Sequence, residues 1–336
     1  MKVDIVYTWV NGNDPNWRAK KAECLKNEQN EISSFSSSDA RFQDNQELKY
    51  SLRSIYKYAP WVNKIYIVTD NQVPDWFNTD NKWVEIIDHK DIFEDHSCLP
   101  TFNSMAIETK LHRIEGLSEQ FLYFNDDVFL GRKCAPTDFF SENNIPHLFV
   151  SKLFHTESKN AHIKKAKVWR TRNEHQASIE NCRELIFNQH NQYIKYKFRH
   201  GVKAFNKSVL FELTKKYKEQ LNRTSRHKFR KNEDVLIHAL YSFYALANKK
   251  GIAKYSPLLR LKMDIIKKMK VNKSKFVYSY ISLSDTDLKL RLELIKKYNP
   301  LMFCLNQYEG TPNENLEITG NFLENYFHWK SPAEKD

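Results

Sequence analysis

Phe121-Leu122-Tyr123-Phe124-Asn125-Asp126-Asp127 decides how this chain is read. Four apolar or aromatic residues in succession suit a strand buried in a sheet. The run stops abruptly in an amide and two carboxylates, which sets them at the rim of that sheet. In open α/β sheets, ligands bind outside the carboxyl ends of the strands. Paired carboxylates there suit a divalent cation held against a diphosphate, or a base for an attacking hydroxyl. An Asx-rich turn closing a strand has the same composition.

Working outward, the segment before this run alternates strand and helix signals. Val3 to Val10 is a β-rich run closed by the turn cluster Asn11-Gly12-Asn13-Asp14-Pro15. Residues 27–40, rich in Asn, Ser and Glu, have no apolar period and read as a flexible loop. Leu48, Leu52, Ile55 and Tyr58 recur at helical spacing, and Pro60 ends that helix. Ile65 to Val68 and Val84 to Ile87 read as strands, and a helix around Met105 to Arg113 precedes the 121–124 run. This order predicts an α/β fold with a mostly parallel, Rossmann-like nucleotide-binding sheet over residues 1–150. After about residue 150 the strand signals thin out. Asn206 is placed to cap a helix running to Leu221. Glu233 to Ala247 has an apolar face, and Asp285 to Tyr298 carries cations in its last turn, as the helix dipole favours. Residues 249–283 are basic and unassigned. Residues 151–336 are thus expected to form a basic, mainly helical part that packs over the open sheet edge and completes the site, the two parts making one catalytic unit.

The 336 residues suffice for one large domain or two ordinary ones. Net charge is +12, unevenly divided. Residues 1–130 carry 14 Lys+Arg against 21 Asp+Glu, a net −7, whereas residues 131–336 carry 39 against 20, a net +19. An acidic part can host a metal and a basic part an anionic partner. Solvated lysines on helix faces account for part of the excess. The five cysteines are scattered without a CxxC, so neither a disulfide framework nor a zinc site is signalled. No signal-peptide pattern and no membrane-length apolar run is seen. The expectation is a cytoplasmic protein, with peripheral contact to the inner membrane face through basic residues left open.

Several blocks in order resemble the Stealth family, which includes bacterial capsular-polysaccharide phosphotransferases and the GlcNAc-1-phosphotransferase that marks lysosomal enzymes. The first block is Asp4-Ile5-Val6-Tyr7-Thr8-Trp9-Val10-Asn11-Gly12 with Asp14-Pro15. The second runs from Arg41-Phe42 through Glu47 to Ile55 and Ala59-Pro60-Trp61. It continues through Ile65 to Asp70, Leu99 to Asn103, Ile107-Glu108 and Leu111-His112-Arg113, and ends in Phe124-Asn125-Asp126-Asp127. A third covers His200, His227-Lys228-Phe229-Arg230 and Glu233-Asp234. The last is Phe303-Cys304-Leu305-Asn306 with the tail Phe322 to Phe327. The resemblance implies transfer of a whole sugar-1-phosphate from a nucleotide sugar, typically UDP-linked, to a hydroxyl of a glycan or lipid-linked glycan. The products are a phosphodiester and a nucleoside monophosphate, as in capsule or exopolysaccharide synthesis.

Such phosphoryl transfer needs an in-line hydroxyl, a base and positive charge around the phosphate oxygens. Asp127 is the favoured catalytic carboxylate by its place in the motif. Asp126 is a second ligand or holds the turn. Together they are expected to bind Mg²⁺ or Mn²⁺. Arg230 offers a planar fork for phosphate oxygens, against the alternative of a solvated loop, and His227 lies in the same basic run. His200 matches a family histidine and suits proton transfer or phosphate contact. Tyr7, Thr8, Asn11 and Gly12 end the first strand, where a nucleotide would lie, although Tyr7 is equally a core residue. Lys49 and Arg53 share a helix face as candidate pyrophosphate contacts, with Asp44 and Glu47 as alternative ion partners. Asn103 contacts substrate or caps a helix. Asn306 is a candidate substrate contact, but Gln307 follows it where the family commonly has Asp, and Gln brings no charge to a metal. A metal-dependent glycosyltransferase is the competing reading. A basic nucleic-acid module is a distant one that no recognised nucleic-acid-binding motif supports, so nucleic acid is not expected as a partner.

Overall fold

The computed structural model describes residues 1–28, 33–152, 163, 167–168, 173–255 and 277–335. Eleven strands are described. They are β1 (Val3–Thr8), β2 (Ile65–Thr69), β3 (Val84–Asp88), β4 (Gln120–Asn125), β5 (Val128–Leu130), β6 (His147–Lys152), β7 (Tyr196–Phe198), β8 (Lys203–Asn206), β9 (Ile252–Tyr255), β10 (Tyr278–Ser282) and β11 (Met302–Asn306). The main sheet has the order β3-β2-β1-β4-β8. Its first four strands run parallel, and β8 closes the β4 edge antiparallel.

Pleating sends alternate residues to opposite faces. Ile5, Tyr7, Ile67, Leu122 and Phe124 pack with Leu48, Leu52 and Ile55 of the helix Glu47–Tyr58. Val6, Tyr66, Val68, Phe121 and Tyr123 pack on the other face, against a cluster that includes Met105, Cys182, Ile186 and Leu240. Those residues come from the helices Ser104–Glu108, Glu174–His190 and Ile237–Ala247. The result is a Rossmann-like α/β layering.

Sheets join the two parts of the chain. The β8 strand belongs to the main sheet, and β5 pairs with β11 in a second sheet of order β10-β11-β5. Phe129 of β5 stacks on Phe303 of β11 at 5.1 Å, beneath the helices Leu288–Tyr298 and Asn313–Tyr326. A third sheet has the order β7-β6-β9. Alongside its helices, the second half therefore holds the short strands β7 to β11, which its sparse apolar runs do not announce. The helix expected to run from Asn206 to Leu221 is two, Lys207–Lys216 and Lys218–Arg226, and the Asn206 side chain makes no capping bond. Part of the expected 27–40 loop is helical, at Ser34–Ser37 and Asp39–Arg41. Residues 256–276, most of the unassigned basic stretch, lie outside the described residues.

Candidate active site

The strand order of the main sheet reverses direction between β1 and β4, whose ends meet at the pair Thr8 and Asn125. A crevice at such a switch point is where α/β sheets bind ligands. Asp126 and Asp127 are the only residues between β4 and β5, so they cross from the main sheet to the second one. The backbone behind them is held on several sides. Leu305 N donates to Asp127 O at 3.0 Å. Ser51 Oγ donates to Val128 O at 2.6 Å, and Tyr7 Oη pairs with Ser51 Oγ at 2.7 Å. Tyr7 is fully buried. It therefore supports the carboxylate turn from within the core and is not a surface for a nucleotide base.

The two carboxyls differ in their surroundings. Asp127 Oδ2 accepts from Asn306 Nδ2 at 3.0 Å and from the Cys304 thiol at 3.1 Å, and His200 Nε2 stands 3.8 Å away. Burial pushes this carboxyl upward, but His200 and the bonds from Asn306 and Cys304 outweigh it and hold Asp127 below the ordinary carboxylate range. Its second oxygen, Oδ1, is buried without a partner. Asp126 faces the opposite balance. Burial, then the charge of Asp127, then Glu47 and Asp44 drive it well above the ordinary range. Glu47 is itself lifted to about 7, chiefly by burial. Repulsion among carboxyls crowded into one place signals a position where a cation would be welcome.

Asn306 comes to the site on β11, with its Oδ1 accepting from Tyr280 Oη at 3.1 Å. Gln307, where the resemblance led to an expected Asp, is tied to Asn45 and Gln43. Asn45 in turn donates to Glu47 Oε1 at 2.8 Å, so Gln307 reaches the carboxyl cluster only through an amide.

Three basic side chains, Arg230, Lys203 and His238, gather around Glu108. The Arg230 guanidinium is half-buried; its Nη2 donates to Ser104 Oγ at 2.5 Å while Nε has no partner. Burial lowers its pKa against the pull of Glu108, Tyr123, Glu174 and Asp234. Burial, then Glu108, drives the Tyr123 phenol well above its ordinary range, with Asp126 adding to the rise and Arg230 opposing it; its hydroxyl pairs with Thr8 Oγ1 at 2.9 Å. Burial brings Lys203, on β8, down to about 8 against the pull of Glu108, Cys304 and Asp127, and its Nζ donates to Arg199 O and, at 2.9 Å, to Gly201 O. His238 Nδ1 lies 3.0 Å from Glu108 Oε2. None of Lys203, His238, Glu108 or Cys304 stood out as a site residue in the sequence. Cys304 and Glu108 do lie inside quoted family blocks, which was the available signal.

Other expected contacts are engaged elsewhere. Asn103 is fully buried; its Oδ1 caps Met105 N and its Nδ2 donates to Asp234 Oδ2 at 2.9 Å. His227 Nδ1 pairs with Asp234 Oδ1 at 2.5 Å, so the two residues brace the Arg230 loop. Arg53 is buried and committed to Glu334, Glu324 and Phe327 O, which removes it from any pyrophosphate. Lys49 Nζ donates to Gln46 Oε1 at 2.5 Å on the exposed helix face, so neither Asp44 nor Glu47 is its bonded partner. Asn11 exchanges backbone bonds with the Gln72 amide, and its Oδ1 accepts from Asn13 N. Gly12 approaches its own chain closely: an added Cβ would lie 2.4 Å from Phe42 O. The close approach expected of Gly12 thus serves the fold.

The fold and this site define a nucleotide-binding-type α/β protein with a carboxylate pair at the switch point. Stealth protein conserved region 1 matches residues 1–29, conserved region 2 residues 41–148 and conserved region 3 residues 199–247. The chain belongs to the Stealth family. It is 36% identical over 338 residues to exopolysaccharide phosphotransferase SCO6021 of Streptomyces coelicolor, covering 99% of this chain and 57% of that protein. It is 34% identical over 337 residues to exopolysaccharide phosphotransferase CpsY of Mycobacterium leprae, covering 99% and 57%. The chain spans about half the length of the curated relatives it matches. A crystal structure of the galactosyltransferase LgtC with donor and acceptor sugar analogs is similar at a TM-score of 0.42 and 11% identity, covering 96% of this chain and 95% of that one.

Proposed function

We propose that this chain transfers a sugar-1-phosphate from a nucleotide sugar, with UDP the favoured carrier, to a hydroxyl of a glycan or lipid-linked glycan. The observation that carries the reading is Asp127: a carboxylate held charged, with one oxygen unpartnered, at the switch point of the sheet, with His200 3.8 Å away and Lys203 within its electrostatic reach. The acceptor oxygen attacks the phosphorus bonded to the sugar, and Asp127 takes its proton. The bond from that phosphorus to the bridging oxygen breaks, and the nucleoside monophosphate leaves with the electron pair. The leaving group is already acidic and needs little protonation. Arg230, through its unpartnered Nε, together with His200 and the remaining donor of Lys203, neutralises charge on the phosphate oxygens.

Asp126 and the free Oδ1 of Asp127 supply the oxygen donors that Mg²⁺ or Mn²⁺ prefers, and the crowding of Asp126 by Asp44 and Glu47 fits a cation there. Held there by Asp126 and Asp127, such an ion would supply positive charge to the phosphate groups and the leaving group. Peripheral contact of the basic surface with anionic lipid would bring a lipid-linked acceptor near; no described helix is long and apolar enough to cross a membrane.

Incubation with a panel of nucleotide sugars and candidate acceptors, resolved by chromatography, tests the reading. Nucleoside monophosphate with a new phosphodiester in the phosphorus NMR spectrum is expected. Nucleoside diphosphate release with a glycoside product would instead make the protein a glycosyltransferase.

A further inference from the structure

Asp127 presents two different donor environments. Its Oδ1 is buried without a partner, whereas its Oδ2 side is shared with a thiol and an imidazole. Donor atoms of Asp127, His200 and Cys304 all lie within 4.8 Å of one another. The Cys304 thiol is buried 3.1 Å from Oδ2, and His200 Nε2 is 3.8 Å from it with no hydrogen-bond partner. Tetrahedral zinc with sulfur, nitrogen and oxygen ligands separates them by roughly 3.3–3.5 Å, so shifts of a few tenths of an ångström to about 1 Å would close the site. The donor set is soft and mixed. It suits Zn²⁺ and is a poor match to Mg²⁺, which demands oxygens.

We propose that Asp127, His200 and Cys304 form a thiophilic-metal site at which Zn²⁺ binds and shuts the enzyme off. Three protein ligands leave a fourth position for water. Binding replaces the S–H proton of Cys304 with the metal, so one proton is released per ion and the thiol's bond to Oδ2 is lost. The carboxylate that would take the acceptor proton becomes a ligand, and His200 is withdrawn with it. Elements hold the three residues together: Asp127 in the β4–β5 link, Cys304 on β11 paired with Val128, and His200 just ahead of β8. Regulation by zinc rests on the phosphotransferase reading, but the site itself does not.

Two measurements therefore separate the claims. Titration of the full chain with Co²⁺, a spectroscopic stand-in for Zn²⁺, should give a single site with a thiolate-to-cobalt band in the near ultraviolet. Zn²⁺ should displace the cobalt. Cys304→Ser should lack the band, and His200→Ala should keep it with affinity about tenfold or more weaker, the fold of each variant being checked by far-ultraviolet circular dichroism. Direct titration with Zn²⁺ in indicator dye should release one proton per ion. Nucleoside monophosphate release, read for each variant as the ratio of rates with and without Zn²⁺, should fall at least tenfold in the native chain and stay near one in Cys304→Ser. Absence of the band, or its persistence in Cys304→Ser, overturns the site. Binding that leaves the rate unchanged overturns the inhibition. Failure of every nucleotide sugar to react would defeat the proposed function and leave the cobalt result standing.

Discussion

Two carboxyls joined by one peptide bond titrate apart because Asp127 has three partners and Asp126 has three carboxyl neighbours. Asp127→Asn keeps the size and the bonds but loses the charge. The rate of transfer should fall about a hundredfold or more, with the far-ultraviolet circular dichroism unchanged. A base must be deprotonated to act. With Asp127 as base, the acid limb of kcat/KM should lie below the ordinary aspartate value of 3.8; a limb well above it would move the role to Asp126. Asp126→Asn has the opposite use. Because the native state raises this pKa, its destabilisation is absent below 3.8 and grows as pH rises toward the native value. The variant should be more stable than the native chain at pH 7 in urea unfolding, and the gain should vanish below the ordinary aspartate value of 3.8. Stability gained where activity is lost is the expected mark of a functional site.

At the scale of elements, the loop after β1 is fastened to the segment ahead of the helix Glu47–Tyr58. Gly12 N donates to Phe42 O at 2.7 Å, and no room remains for a methyl group. Gly12→Ala should cost about 2 kcal/mol, read as a lower thermal midpoint, because one of the two backbones must move. The parallel strands were legible because they are buried on both faces and read as unbroken apolar runs: β1, β2 and β4 are almost wholly buried. The short strands β7 and β8 carry mixed polar sequences, Tyr196–Phe198 and Lys203–Asn206, that only a partner strand makes extended. The site divides in the same way. Asp127 sits where a local pattern puts it, and the family blocks marked His200, Arg230 and Asn306. Arg53 could only be read from its neighbours at helical spacing, since Glu334 lies 281 residues away. Lys203 and His238 come to Glu108 through tertiary packing that no local spacing encodes.

Taken as a whole, the molecule is closed by its far end. Arg53 donates to Glu334 at 2.8 and 2.9 Å with both groups buried, and Trp329 Nε1 donates to Arg53 O at 2.9 Å. Removing one partner of a buried pair leaves a charge without compensation. Glu334→Ala should therefore destabilise by about 3 kcal/mol in urea unfolding. The antiparallel strand β8 has a bearing on synthesis. The β4 strand is complete at Asn125, yet the strand that covers its edge ends at Asn206. A nascent chain leaving the ribosome thus carries an uncovered, aromatic strand edge for some eighty residues of translation, at roughly 5–20 residues per second. That interval is a window in which a chaperone must shield the edge or a neighbouring chain will pair with it. A chain stopped at residue 200 should accumulate in the insoluble fraction on expression, while one stopped at residue 210, with β8 in place, should show a larger soluble share.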